Sequence, residues 1–401
     1  MKDQNVVVAS SRHERRSRWR LEAITKVALL ALLAIPANAE DVLIKAKKLH
    51  TVSGDVIENG AVLVSDGKIQ AVGAGVAGGD KTIEVDTLMP GLVDAYSQAG
   101  LAQRAERTRE VTPGLMTANM INFRDRDFTQ AISSGTTSLH IAPGTDNVFA
   151  GIGCAVKTAG EAKKRIFSDK TGMMLSACTD PARGNGARSR PNSIYIRQPT
   201  NRMGVVWILR STLDAANKGG EGKGMDLVRG SINGDHSVFA VSRTHYDALS
   251  LMEISREFGM KVPIMFGGQE AWRIIDELKE AKTSVVLGRL QPSSPRGQEQ
   301  TRLAANNAAR LHKADIPFAL SEGDLLDQAR FAVRNGLDPK AALEAITISP
   351  AKILGIEKRV GAIAEGLDAD LVALSGDPLE FTTAVQWVMV DGVVQYKQAG
   401  N

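Results

Sequence analysis

The stretch Met89-Pro90-Gly91-Leu92-Val93-Asp94-Ala95 stands where one sequence pattern ends and another begins. On its N-terminal side, over residues 41–88, short apolar runs are broken by turn residues (VLIKAKKLHTV, GAVLVSDGKIQAVG and KTIEV), which is a β pattern. Within it Asp66-Gly67, flanked by Val62-Leu63-Val64 and Ile69, signals a hairpin, because a type I′ turn needs positive φ at both central positions. On its C-terminal side, to about residue 357, strand-like runs such as TTSLHIA, VVWIL, VPIMF, SVVLG and PFALS alternate with helix-like runs at 246–258, 270–281, 302–313 and 339–346. That alternation predicts a parallel sheet with helices outside it. Asp338-Pro339 supplies an N-cap followed by proline at the first helical position. Beyond 357, the run Asp370-Leu371-Val372-Ala373-Leu374 and the stretch 385–396, broken by Asp391-Gly392, return to β grammar, so the two ends of the chain are expected to pair in one small sandwich.

Length and composition agree with two parts. A chain of 401 residues holds one large α/β domain and a small accessory one. With 43% hydrophobic and 23% charged residues it is ordinary globular sequence, neither disordered nor a membrane bundle. Residues 1–39 read as an export signal. Arg12, Arg15, Arg16, Arg18 and Arg20 precede an apolar run at 27–35, too short to span a bilayer, and Pro36 then leads to Ala37-Asn38-Ala39 before Glu40. Cleavage after Ala39 is expected, with an uncleaved anchor as the alternative, and the mature chain is expected outside the cytoplasmic membrane, in the periplasm or beyond. Of 49 basic and 45 acidic side chains the signal holds seven and three, so 42 of each sign remain, and no basic field is left for nucleic acid or anionic lipid. Cys154 and Cys178 are either a disulfide of the oxidising compartment or two buried thiols.

The opening stretch resembles the PGLVDAH-type first barrel strand of the amidohydrolases. Thr136-Thr137, then Pro143-Gly144-Thr145-Asp146-Asn147 and Arg202-Met203-Gly204 resemble the imidazolonepropionase-like branch of that superfamily. Ser349-Pro350-Ala351-Lys352-Ile353-Leu354-Gly355, Gly361, Gly366, Asp368-Ala369-Asp370-Leu371-Val372 and Val390-Asp391-Gly392 resemble its closing pattern. The resemblance implies a (β/α)8 TIM-like barrel over residues 89–357 and a composite β-sandwich from 40–88 and 358–401, with any pocket at the C-terminal mouth of the barrel. It also implies hydrolysis of non-peptide carbon–nitrogen bonds by a bound divalent metal, usually zinc.

The residues at the family's metal positions argue otherwise. Two histidines one residue apart should end the first strand, where alternation points both inward. Tyr96 and Gln98 stand there, and a phenol and an amide replace imidazole poorly. The position of the bridging lysine aligns with Met174. The next histidine falls on Ala240 or Ser242, and the following one on Gly267. The last-strand carboxylate, ligand and general base in the family, aligns with Gly323, beside Asp324. A lone carboxylate does not hold zinc, which needs about three protein ligands. Of the five histidines beyond the signal (His50, His140, His236, His245 and His312), no pair has ligand spacing.

Other pocket candidates are His140, Lys157, Arg243 and Glu322, with Ser242-Arg243 beside His245, or Lys157 with Glu322, as conceivable metal-free pairs. Arg183, Arg188, Arg190 and Arg197 line a loop at 183–198, suited either to an anion or to solvent. The expectation is a metal-free, cofactor-free pseudoenzyme that binds a small molecule or a homologous subunit, as a homo- or hetero-oligomer, without nucleic acid or a membrane span after signal cleavage. The alternative is an active hydrolase of cyclic amides or dipeptide-like substrates, with Asp324 as its candidate base.

Overall fold

The structure is a computed structural model that describes residues 40–106, 108–183, 185, 198–291 and 302–398. The expected signal at 1–39 lies outside the described residues.

Four strands open the chain: β1 Val42–His50, β2 Val56–Ser65, β3 Lys68–Ala74 and β4 Lys81–Pro90. Asp66 and Gly67 take φ of 49° and 75°, as the hairpin signal requires. The quoted stretch then leads out of β4 and into the second sheet.

That sheet has eight strands: β5 Leu92–Ser97, β6 Thr136–Ile141, β7 Phe149–Lys157, β8 Ile166–Ser176, β9 Val238–Ser242, β10 Ile264–Gly267, β11 Val285–Leu287 and β12 Phe318–Leu320. Its helices are α1 Arg126–Ser133, α2 Arg202–Asn217, α3 Met225–Asn233, α4 His245–Phe258, α5 Ile275–Ala281, α6 Asn307–Lys313, α7 Leu325–Arg334, α8 Pro339–Glu344 and α9 Ile348–Leu354. The all-parallel expectation needs correction, because β7 runs antiparallel to both β6 and β8 while the other five pairings are parallel. Parallel neighbours need a crossover of a dozen or so residues, and the connection 142–148 is too short for one.

The run VVWIL, expected as a strand, lies inside α2. A short apolar run fits either period, and the Asn201 side chain, accepting from Gly204 N, starts a helix just ahead of it. Two expected helices are shorter than their apolar patterns: Ala271–Arg273 is a 3-10 turn before α5, and residues 302–306 precede α6. There Arg302 N donates to the Glu270 carboxylate instead of to a helical carbonyl.

β12 and β5 do not pair as strands; the connection between α8 and α9 enters the seam. Val93 N donates to Ile346 O and Leu320 N to Ala345 O, each at 2.9 Å. Inside the barrel Val93, Ala95, Met174, Phe239, Val241, Phe266 and Val286 form one apolar cluster with Leu354 of α9. Strand alternation sends Leu92, Ala240 and Met265 outward, into the core beneath the helices.

After the barrel, β13 Leu371–Leu374, β14 Val385–Val390 and β15 Val393–Lys397 join the first sheet, in the order β15-β14-β13-β4-β1-β2-β3. The two ends of the chain thus meet in one sheet, with Leu371 opposite Pro90 and Leu374 opposite Thr87. The sheet curls until its hairpins touch: a side chain on Gly67 would stand 2.9 Å from Asp391 O.

Lys157 ends β7 at this junction, not at the barrel mouth. Because β7 is reversed, its C-terminal end faces the terminal sheet, and Nζ lies 2.7 Å from Asp370, 2.9 Å from Asp368 and 3.3 Å from Asp391. The expected pairing of Lys157 with Glu322 is therefore not made. Burial opposes the charge on Lys157, but Asp370, Asp391 and Asp368 outweigh it and its pKa rises. Lys68 and Arg359 also reach Asp368, at 2.5 and 2.7 Å.

Candidate functional site

The barrel mouth is closed by aromatic rings. Tyr96, at the end of β5, stacks on Phe266 of β10 with ring centroids 3.9 Å apart. Its hydroxyl accepts from Gln98 Nε2 at 2.9 Å and donates to Pro143 O at 3.4 Å. Tyr96 is only 6% exposed, and burial pushes its pKa up, so the phenol stays protonated. Met174 belongs to the same buried cluster.

Three of the nominated ligand positions do not face this mouth. Ala240 lies among the outward core residues, and the inward positions of β9 are Phe239 and Val241. Ser242 donates to Thr244 O at 3.3 Å. On β10 the inward residue is Phe266, while Gly267 turns the chain with φ of 93°. The sequence reading missed the phase of these strands.

His140 faces the barrel interior rather than a pocket. Its Nδ1 donates to Ala95 O at 2.8 Å, its ring leans on Phe239, and its Nε2 is buried without a partner. Burial lowers its pKa to about 4, so the ring is neutral and Nδ1 carries the proton.

Charge at the mouth is organised by Arg243 and Asp180. Arg243 Nε and Nη2 approach Asp180 Oδ2 at 2.9 and 2.5 Å, and Thr145 Oγ1 and Arg183 Nη2 also donate to Asp180. Burial alone would raise the Asp180 pKa, but the Arg243 guanidinium holds it below the usual carboxylate range. His245 turns away to Glu270, 2.7 Å from its Nδ1. The conceivable Ser242-Arg243-His245 group therefore does not assemble. Asp324 caps α7, accepting from Asp327 N at 3.1 Å, and it also lines the trough outside the seam.

Outside the seam, a trough of about 900 Å³ runs between α1 and α7. Its mouth end is lined by Asp94, Tyr96, Gln98, Arg104, Arg289, Glu322 and Gly323, its far end by Thr383, Val385 and Tyr396. Asp94 accepts from Tyr96 N at 3.1 Å and from Ser321 Oγ at 2.5 Å, and Ser321 Oγ also lies 3.2 Å from Tyr96 O, closing the seam that strand pairing leaves open. Burial raises the Asp94 pKa to about 6 despite these donors. Sequence reasoning missed Asp94, Asp180 and Arg289. Asp94 was in plain view in the quoted stretch; the others carried no local signal. Of the loop arginines only Arg183 is described, whereas Arg188, Arg190 and Arg197 lie outside the described residues.

A divalent metal does not fit this mouth. Its would-be donors are a protonated phenol, an amide, a thioether and three positions without a usable side chain, and zinc asks for imidazole, thiolate or carboxylate. Among the described residues no three His, Cys, Asp or Glu side chains gather closely enough to hold an ion. Cys154 and Cys178 are both free and buried, and burial raises both thiols.

The model of the amidohydrolase family matches residues 261–396. Amidohydrolase tasK of Hapsidospora irregularis is 24% identical over 405 residues, 86% of this chain and 40% of that protein. The adenine deaminase of Moorella thermoacetica is 35% identical over 96 residues, 24% of this chain and 16% of that one. The chain thus spans less than half the length of these curated relatives. Among solved structures, an amidohydrolase from Thermotoga maritima superposes with a TM-score of 0.81 at 28% identity, covering 89% of this chain and 100% of that one. The family match begins just ahead of β10 and takes in the whole closing pattern, and the solved structure extends the likeness to the amidohydrolase superfamily across both sheets.

Proposed function

We propose that this chain is an exported member of the imidazolonepropionase-like branch, with its terminal sheet folded as the composite sandwich, that has given up metal-dependent hydrolysis and binds a small molecule beside the old mouth. The observation that carries the reading is the Tyr96–Phe266 stack, which fills the inward positions of β5 and β10 with rings where imidazoles would be needed. Loss at a single ligand position changes metal stoichiometry, but replacing every imidazole removes the borderline donors together. A fold does not carry its ancestral chemistry once the site is gone.

Elemental analysis of native protein purified without added metal tests it. The expected content is far below one equivalent of zinc, manganese or iron per chain, and a chelator should leave the thermal midpoint unchanged. One tightly held equivalent would overturn the proposal.

A second reading, a metal-free hydrolase of cyclic amides or dipeptide-like substrates, is favoured by one observation: Asp94, with its pKa near 6, lines the trough and has the poise a general base needs. Turnover of such a substrate that survives chelation and disappears in Asp94→Asn would establish it.

A further inference from the structure

We infer that the mouth end of the trough recognises an organic carboxylate through Arg289, with Arg104 as a second cation. This deepens the small-molecule reading above and rests on the mouth being metal-free.

The first observation is a substitution in space. Gly323 stands where the family's last carboxylate aligns, and a Cβ built there would lie 3.1 Å from both Nε and Nη2 of Arg289. The guanidinium, carried just beyond β11, therefore occupies the room of the missing acid. Charge at that point has changed sign, from an anion that would hold a cation to a cation that can hold an anion.

The second observation concerns which groups are already satisfied. Among the described residues neither the Arg289 nor the Arg104 guanidinium makes a hydrogen bond or ion pair, although the Arg104 carbonyl accepts from Gly144 N. The arginines elsewhere at this end are engaged: Arg243 on Asp180, Arg202 on Asp247 and Arg330 on Asp327. The acids of the mouth end are engaged too, while Asp127 lines the trough further along α1. Asp94 accepts from Ser321 and Tyr96, Asp324 caps α7, and Glu322 has partners of its own. What the mouth end has left among its charged groups is two guanidinium forks.

A planar fork matches a carboxylate through two parallel hydrogen bonds, which a point charge does not. The trough volume of about 900 Å³ suits a molecule of drug-like or dipeptide size and not a bare inorganic ion. Gln98, Ala99, Leu139 and Leu326 line the same trough and are available to contact its body.

The test uses the full mature chain and a panel of N-acetyl amino acids, each paired with its C-terminal amide, measured by calorimetry and by thermal shift, with inorganic phosphate alongside. At least one acid should bind, its amide about tenfold more weakly or worse, and phosphate not at all. Arg289→Gln should lose about tenfold in affinity while keeping the ligand-free thermal midpoint; Arg289→Lys should fall between, having charge without the fork. Arg104→Gln should weaken the same acid less. The inference is overturned by a panel without a binder at millimolar concentration, by amides or phosphate binding as well as the acids, or by Arg289→Gln binding like the parent. Metal content is read on the same preparation. Zinc together with acid binding that survives Arg289→Gln sinks both readings; no zinc and no acid binding sinks this one alone.

Discussion

The two ends of the barrel differ in how their polar groups are used. At the base, the closing pattern is complete and its buried acids have partners: Lys157 is held by Asp368 and Asp370, and Asp368 in turn by Lys68 and Arg359. At the mouth the positions aligned with the family's ligands hold one phenol, one amide, a thioether, alanine or serine, and glycines, and the charged groups around them include Arg243, Asp180 and the trough arginines. In this architecture stability is concentrated at the N-terminal face and chemistry at the C-terminal one. The contrast teaches that the two ends can vary separately: the fold-specifying end keeps its ion pairs while rings pack at the other.

The largest effect should come from breaking the base. Lys157→Met leaves Asp368 and Asp370 buried, at 2% and 4% exposure, without the cation that links them. Removing one partner of a buried ionic cluster costs about 3–5 kcal/mol, a large share of a typical domain's stability. Burial keeps the pKa of Asp370 raised, so the sign of the variant's pH dependence is read from Asp368, whose pKa burial would raise but Lys157, Lys68 and Arg359 depress. A depressed acid contributes stability that is present above its unfolded pKa and lost as pH falls through the folded value. The urea midpoint of Lys157→Met should therefore drop sharply near neutral pH, and the gap to the parent should narrow below about pH 4. An unchanged midpoint would mean that the junction is held by the sheet alone.

Why the base was legible and the mouth only half so is a matter of range. Asp66-Gly67, the DADLV run and the pairing of the chain ends are signalled by local turn chemistry and period-2 patterns, and these the structure follows. Tyr96 and Gln98 were also readable, because they follow the quoted strand directly. Ala240, Ser242 and Gly267 were misplaced because one residue of slip moves a side chain to the other face of a strand. The reversal of β7 was written in the short connection 142–148, but the surrounding helix–strand alternation argued louder. Asp94 and Ser321 meet across 227 residues, and Arg243 and Asp180 across 63, distances over which one sequence carries no pairing signal.

The next effect lies where mouth and seam meet. Asp94→Asn keeps the shape and an acceptor for Ser321 and Tyr96 N, but it cannot ionise. The folded pKa of Asp94 is raised to about 6 by burial, so the native state holds the proton more tightly than the unfolded chain. Stability from this group is greatest below the unfolded value and declines as pH rises through 6. Between about pH 4 and 7 the parent should lose up to about 3 kcal/mol relative to Asp94→Asn. Denaturant unfolding of both chains across that interval reads the difference directly. Parallel curves would show that Asp94 is better solvated than its 8% exposure implies.

The smallest effect separates a plug from a ligand. Tyr96→Phe keeps the ring, and with it the stack on Phe266, and deletes only the hydroxyl that joins Gln98 to Pro143. If Tyr96 is core, the loss is that of a modest hydrogen bond, about 1 kcal/mol, and metal content does not change. If the phenol instead ligated an ion, the same change would empty the site and shift the thermal midpoint by more than a hydrogen bond explains. Tyr96→Ala must then behave in the opposite order. Deleting the ring opens a cavity against Phe266 and Met174 and should cost about 3–5 kcal/mol, again with no change in metal. A Phe variant close to the parent beside a crippled Ala variant marks the position as packing, and the mouth then belongs to the same physics as the rest of the core.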